Sequence, residues 1–135
     1  MLGDYTSFKR AYSDKSVDLD ILTGTASYAN VIAAKSASHQ IFIQKIILSI
    51  TTHAADVYTF DDDGAGAVVA AHTDAAAGAG VLSVIEWDFG PAGVALTVGA
   101  NLDISHSSTG VAKVHIEAYE KLGAVISYLA GASLQ

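Results

Sequence analysis

The alternation of apolar and polar residues is the feature that most limits how this chain can fold. In residues 17–22 aliphatic side chains alternate with aspartates, so a β-strand there would bury one row of side chains and leave the other in water. The same period of two returns in residues 111–119. A helix-like spacing occurs only at Tyr5, Phe8 and Tyr12. The alternation therefore predicts an all-β protein.

Turn signals divide the rest of the chain into further short strands. Residues 39–52 are long for one regular strand, and their alternation shifts phase near Lys45, which predicts a bulge or bend there. Asp63-Gly64 supplies a hairpin turn, and residues 90–93 form a β-turn with Pro91 at its second position. About eight short strands predict an antiparallel β-sandwich that is jelly-roll-like. The predicted strands are residues 17–22, 28–34 (the weakest), 39–52, 57–60, 67–72, 81–89, 94–98, 101–105 and 111–119.

Length and composition indicate one domain that is built for assembly. The 135 residues suit a single domain, with 51% hydrophobic and 16% charged residues. We assign residues 1–15 to an N-terminal arm and residues 16–135 to the β-sandwich, which includes an apolar C-terminal tail over residues 122–135. So few charges predict that partner subunits cover part of the surface.

The distribution of charge argues against nucleic acid as a partner. The net charge is −7, and no Lys or Arg lies between Lys45 and Lys113, a stretch that holds eight acidic residues. Such a surface repels phosphate backbones. The first ten residues include charged side chains and lack the apolar run of a signal peptide. No apolar segment is long enough to span a bilayer. We therefore expect a protein made in the cytoplasm, with no membrane partner.

No catalytic or cofactor-binding motif stands out, so we do not expect an enzyme. The chain has no cysteine, and its five histidines form neither a His-x-His nor a His-x-x-x-His pair. His115 and Glu117 share one strand face, where they form either a solvated or interface pair, the favoured interpretation, or a site that shares a proton or metal. Glu86 and Asp88 likewise share a face, but the aromatic-lined cleft of a glycosidase is not indicated. Trp87 is expected in the core or an interface.

The run Asp61-Asp62-Asp63-Gly64 suggests calcium. An EF-hand fails, because the position that requires a glutamate is Ala70. A looser calcium site at Asp61, Asp62 and Asp63 stays open beside the favoured interpretation, a solvated hairpin turn without a cofactor.

Residues 40–121 resemble a small family of structural proteins from tailed bacteriophages and prophages. The shared features are the Ile-rich strand HQIFIQKIILSITT, the turn YTFDDDG, and the stretch WDFGPAGVALTVGANLDISHSSTGVAKVHIEAYEK. The resemblance implies a jelly-roll-like virion protein, and more specifically a capsid decoration or cement protein that binds and stabilises the phage head. It implies a homo-oligomer, with a trimer favoured, and the major capsid protein as partner on the capsid surface of the virion.

The N-terminal arm is the expected attachment segment. It is slightly basic, whereas the body of the chain is acidic, and terminal arms commonly add a strand to a neighbouring protein. The expected partner-binding residues are Tyr5, Phe8, Lys9, Arg10 and Tyr12. The alternative function is a β-sandwich of the tail, neck or fibre that binds a host receptor or glycan.

Overall fold

Two antiparallel sheets account for the fold of the described residues. The computed structural model describes residues 14–64, 66–76, 81–107 and 109–123. Its strands are β1 (Lys15–Ile21), β2 (Ser27–Ile32), β3 (His39–Thr52), β4 (Val57–Asp62), β5 (Ala67–Thr73), β6 (Ser83–Asp88), β7 (Val94–Ala95), β8 (Leu102–His106) and β9 (Val111–Leu122).

The strand order is that of a jelly roll. Sheet A has the order β1-β9-β3-β6, with the short β7 also paired to β3, and sheet B has the order β2-β8-β4-β5. The connections after β1, β2, β3, β5, β7 and β8 each cross from one sheet to the other, which builds the two interlocked Greek keys of this fold. The prediction of a jelly-roll-like β-sandwich is confirmed.

The core lies between the two sheets and consists mainly of aliphatic side chains. Sheet A contributes the inward rows of β1, β3 and β9, as their alternation predicted. Sheet B contributes Tyr58 and Phe60 from β4, both fully buried. Trp87 on β6 packs edge-to-face against Phe60, with ring centroids 5.6 Å apart. The core role predicted for Trp87 is therefore confirmed.

The predicted irregularity in the long strand β3 is a bulge at Gln44. Ile43 pairs with Ala118 of β9 and Lys45 pairs with Glu117, so Gln44 is an extra residue between them. Ile43 is buried before the bulge and Ile46 after it. The bulge therefore keeps both halves of β3 facing the core.

Two predicted strands are shorter than expected. The strand predicted over residues 81–89 is limited to Ser83–Asp88, and Val81, which precedes it, is 48% exposed. The strand expected over residues 94–98 is limited to Val94–Ala95. Beyond it Leu96 N and Gly99 N still donate to Ile41 O and His39 O of β3, but a turn at residues 98–99, where Gly99 has a positive φ of 82°, interrupts regular pairing.

Candidate functional sites

The arm residues singled out from the sequence, Tyr5, Phe8, Lys9, Arg10 and Tyr12, lie outside the described residues, as does the tail after Gly123. The described residues provide three candidate contact surfaces. These are one end of the sandwich formed by loops, the outer face of sheet A, and the sheet edges that no described strand covers. None of the described residues forms a helix long and apolar enough to cross a bilayer.

A buried polar network organises one end of the sandwich, here called the loop end. It comprises the connections after β1, β3, β5 and β8 (described residues 22–26, 53–56, 74–76, 81–82, 107 and 109–110). Asp56 lies at its centre. The Asp56 carboxylate accepts hydrogen bonds from His106 Nδ1 (2.9 Å), Ser107 N (2.6 Å), Ser107 Oγ (3.1 Å) and Gly110 N (3.2 Å). The backbone oxygen of Asp56 accepts a further bond from Asp74 N at 2.7 Å.

Both nitrogens of the His106 ring face acceptors. Nδ1 contacts the Asp56 carboxylate, and Nε2 lies 2.6 Å from the backbone oxygen of Thr25. Burial by itself raises the pKa of Asp56, but the hydrogen bonds from His106 and Ser107 outweigh it and leave that pKa below its ordinary value. The Asp56 carboxylate is therefore held in its charged form by the hydrogen bonds around it.

Tyr58 packs against this pair without completing it. Its ring stacks on the His106 ring with centroids 5.7 Å apart. Burial, together with the nearby charges of Asp56 and Asp74, raises the pKa of Tyr58 to about 12. The Tyr58 hydroxyl is buried and has no hydrogen-bond partner among the described residues. Gly110 lies so close that a Cβ there would collide with this hydroxyl.

A second histidine repeats the arrangement beside the first. His53 Nδ1 lies 2.8 Å from Asp74 Oδ2, and His53 Nε2 lies 3.1 Å from the backbone oxygen of Val81. Both side chains of the His53–Asp74 pair are almost fully buried. His72 approaches the same carboxylate, with Nε2 3.8 Å from Asp74 Oδ1. These contacts fasten the connection after β5 to the connection after β3.

The pair predicted at His115 and Glu117 exists and includes a third residue. On the outer face of sheet A, His115 Nε2 lies 3.1 Å from Glu117 Oε2, and His115 Nδ1 lies 2.9 Å from Asp18 Oδ1 on β1. Hydrogen bonds to Asp18 and then to Glu117 raise the pKa of His115. Asp18 and His115 also line an open depression of about 450 Å³, together with Asp20, Ile47, Ser49 and Lys113.

The aspartates of the β4–β5 turn divide between structural roles. Asp62 is buried, contrary to the expectation of a solvated turn, because it shares the inward face of β4 with Phe60. Its Oδ2 accepts from Thr97 N (2.8 Å) and Thr97 Oγ1 (2.9 Å), and its Oδ1 accepts from Gly64 N (2.9 Å). Asp63 Oδ1 accepts from Asn101 N at 2.8 Å. Asp61 faces outward beside Asp103, and burial followed by that like charge raises its pKa.

The described part of the chain contains no group of three or more histidine or acidic side chains arranged to hold a metal ion. The donors around Asp62 and Asp63 are N–H and O–H groups, which turn the carboxylates toward the protein.

Exposed apolar residues concentrate near the loop end. Of the seven large apolar residues that are exposed among those described, five lie in or next to it: Leu22, Val57, Val81, Leu82 and Val84. The last three flank or belong to β6, an edge strand of sheet A. This cluster is a candidate contact surface.

Comparison with known proteins identifies no family. A scan against protein-family models found no match, and neither did a search of curated proteins. Solved structures with partial likeness include a chain of the virus-like particle of the extra small virus of the prawn Macrobrachium rosenbergii (12% identity, 78% of this chain and 76% of that chain, TM-score 0.38). Another is a Bacillus endospore appendage pilus (11% identity, 84% and 90%, TM-score 0.42). A third is the capsid of cyanophage Pam1 (17% identity, 77% and 81%, TM-score 0.29). These likenesses do not extend to function.

Proposed function

We propose that this chain is a non-enzymatic structural protein of a phage virion, which binds the capsid surface as an oligomer and stabilises the head. The observation that carries the proposal is the use of polar groups in the described residues. The buried acidic and histidine side chains among them, namely Asp56, Asp62, Asp74, His53 and His106, are engaged in fastening loops and strands together.

The histidines illustrate this use most directly. His53, His106 and His115 each place both ring nitrogens against a carboxylate or a backbone carbonyl. A general base needs a nitrogen that can reach a substrate proton, and none of these three rings presents one. We propose further that the protein binds no cofactor and no calcium ion.

The surface of the domain supports a role in assembly. Only 16% of the residues are charged, so little of the surface needs to stay in water. Neighbouring subunits could contact the apolar cluster near the loop end and the two edges of each described sheet. The motifs that resemble virion proteins of tailed phages favour the capsid as the setting, with the major capsid protein and further copies of this chain as partners. We favour a trimer, made in the host cytoplasm and mounted on the outside of the head.

Purified protein mixed with capsids that lack it tests this function. Light scattering of the free protein is expected to give the mass of a trimer, and electron microscopy is expected to show added density on the capsid surface. Decorated capsids should also withstand heat better than bare ones. A protein that leaves capsids bare at saturating concentration would contradict the proposal.

A second candidate is a tail, neck or fibre domain that binds a host receptor or glycan. The open depression on the outer face of sheet A favours it, since Asp18, Asp20 and Lys113 there offer both acceptors and donors to hydroxyl groups. Clear hits on a glycan array, or antibody labelling at the tail, would support this candidate over the capsid surface.

A further inference from the structure

We propose that residues 1–13 of one copy of this chain pair with the free edge of β6 in a second copy. This inference rests on the proposed assembly function and specifies which surfaces of two copies meet. It combines the edge strand, the charges and apolar residues around it, and the length of chain that precedes β1.

The edges of the two sheets differ in how well they resist pairing. On β1 the outward carboxylates have cationic partners, Asp18 with His115 and Asp20 with Lys113. On β2 the pairing register is broken near Asn30, which has a positive φ of 56°. Charges with local partners and irregular backbone both discourage an added strand.

The edge of β6 has less of this protection. Ser83–Asp88 pairs with β3 in an unbroken register, and no Lys, Arg or Pro lies within it. Its outward side chains are Val84, Glu86 and Asp88, all exposed. Glu86 lies 4.0 Å from the Lys45 ammonium, the same distance that separates Asp20 from Lys113 on β1, whereas Asp88 forms no ion pair with any described residue. The exposed Val81 and Leu82 extend the apolar part of this edge.

The fourth edge, β5, lacks charge complementarity with the arm. Ala67–Thr73 carries alanine, valine, histidine and threonine side chains, with no carboxylate among them. Its pairing with β4 also shifts register between Phe60 and Asp61. Among the four edges, only β6 therefore joins regular backbone, exposed apolar side chains and a carboxylate, Asp88, that forms no ion pair with any described residue.

The composition of residues 1–13 complements β6. The segment contains Lys9 and Arg10 against a single acidic residue, Asp4. In an extended conformation, Phe8, Arg10 and Tyr12 fall on one face. With Arg10 opposite Glu86, the two aromatic side chains lie two residues to either side, beside Val84 and Asp88. Cross-strand pairs of opposite charge and of aromatic with β-branched residues are those that stabilise a sheet.

The position at which the arm joins the sheet favours pairing with β6 of a second copy over pairing with the chain's own β6. The arm joins sheet A at Lys15, the first residue of the edge strand β1. Lys15 Nζ lies 3.3 Å from Glu120 Oε1 on β9. The chain's own β6 lies three strands away, about 14 Å. Tyr12 lies three residues before Lys15, and three extended residues span only about 10 Å, which is too short for Tyr12 to reach the chain's own β6. Thirteen extended residues span about 45 Å, enough to reach a neighbouring molecule.

Charge exchange tests the pairing in the full chain, with sedimentation velocity as the readout. Arg10→Glu and Glu86→Arg are each expected to weaken self-association about tenfold, because like charges then face each other, and the double variant should restore it. Asp20→Arg is the matched control on the β1 edge and should change association less than about twofold. A double variant no tighter than the single ones would overturn the pairing.

Cysteine cross-linking distinguishes pairing between two copies from pairing within one chain. The chain has no cysteine, so Val84→Cys combined with Phe8→Cys or Tyr12→Cys creates the only thiols. A disulfide-linked dimer on a non-reducing gel supports the proposal, and a disulfide confined to one chain overturns it. A wild-type protein that forms an oligomer and decorates capsids, but gives no disulfide between Val84→Cys and the arm, would overturn this pairing and leave the proposed function standing.

Discussion

His106 Nδ1 lies 2.9 Å from Asp56 Oδ2, and both side chains are completely buried. The contact joins β8 to the connection after β3, and the bonds from His106 to Thr25 O and from Ser107 and Gly110 to Asp56 bring in two more connections. A buried carboxylate is tolerated only when its oxygens are hydrogen-bonded. The loop end is therefore held as one unit around the Asp56–His106 contact.

Replacing Asp56 with Asn should cost about 3–5 kcal/mol of unfolding free energy, since one partner of a buried pair is lost. The new amide NH₂ would point at groups that themselves donate, namely Ser107 N, Ser107 Oγ or Gly110 N. Urea denaturation followed by circular dichroism measures the loss.

Asp20→Asn provides the comparison for this variant. Asp20 lies on the outer face of sheet A, 4.0 Å from Lys113, with both side chains largely exposed. A change within about 0.5 kcal/mol is expected there. Equal losses of unfolding free energy in the two variants would show that the buried Asp56–His106 contact contributes no more to stability than an exposed pair.

Tyr58→Phe should leave stability unchanged or raise it by up to about 2 kcal/mol, because it removes a buried hydroxyl that has no partner. Gly110→Ala should lower stability by about 1–3 kcal/mol, since the added methyl collides with that hydroxyl.

The two substitutions should be coupled. In the Tyr58→Phe background the oxygen is gone, so Gly110→Ala should cost measurably less than in the wild type. A double-mutant cycle on the unfolding free energies measures this difference. Strict additivity would mean that the cost at Gly110 comes from the contacts of the added methyl with Asp56 Oδ2 and Thr52 O, and not from the hydroxyl.

Asp62→Ala should destabilise the protein by about 1–3 kcal/mol, because Thr97 N, Thr97 Oγ1 and Gly64 N lose their acceptor. We also expect neither calcium nor a chelator to shift the melting temperature of the wild type. Asp61→Ala is the control, since its side chain faces outward on the same strand. A rise in melting temperature with calcium that disappears in both variants would instead establish an ion site at the turn.

Local pattern predicted much of the fold, whereas contacts between distant residues escaped it. The alternation identified the inward rows of β1 and β9, and the phase shift near Lys45 located the bulge. The same alternation contains the signal for Asp62, which follows Tyr58 and Phe60 at every second position, so its burial was predictable. Nothing local pairs Asp56 with His106, fifty residues away, because that contact depends on strands of sheet B meeting at one end.

The pKa of His115 predicts how stability responds to alkaline pH. Hydrogen bonds to Asp18 and Glu117 raise this pKa above the ordinary value of 6.5, so the folded state holds the proton more tightly than the unfolded state. The stabilisation is complete below pH 6.5 and is lost as the pH rises through the folded-state pKa. The free energy of unfolding should therefore decline more steeply as the pH rises above 6.5 in the wild type than in Asp18→Asn, which removes one acceptor, while Asp20→Asn should keep the wild-type slope. Urea denaturation across the pH range, together with NMR titration of the His115 ring, measures both effects, and identical slopes in all three proteins would contradict the assignment.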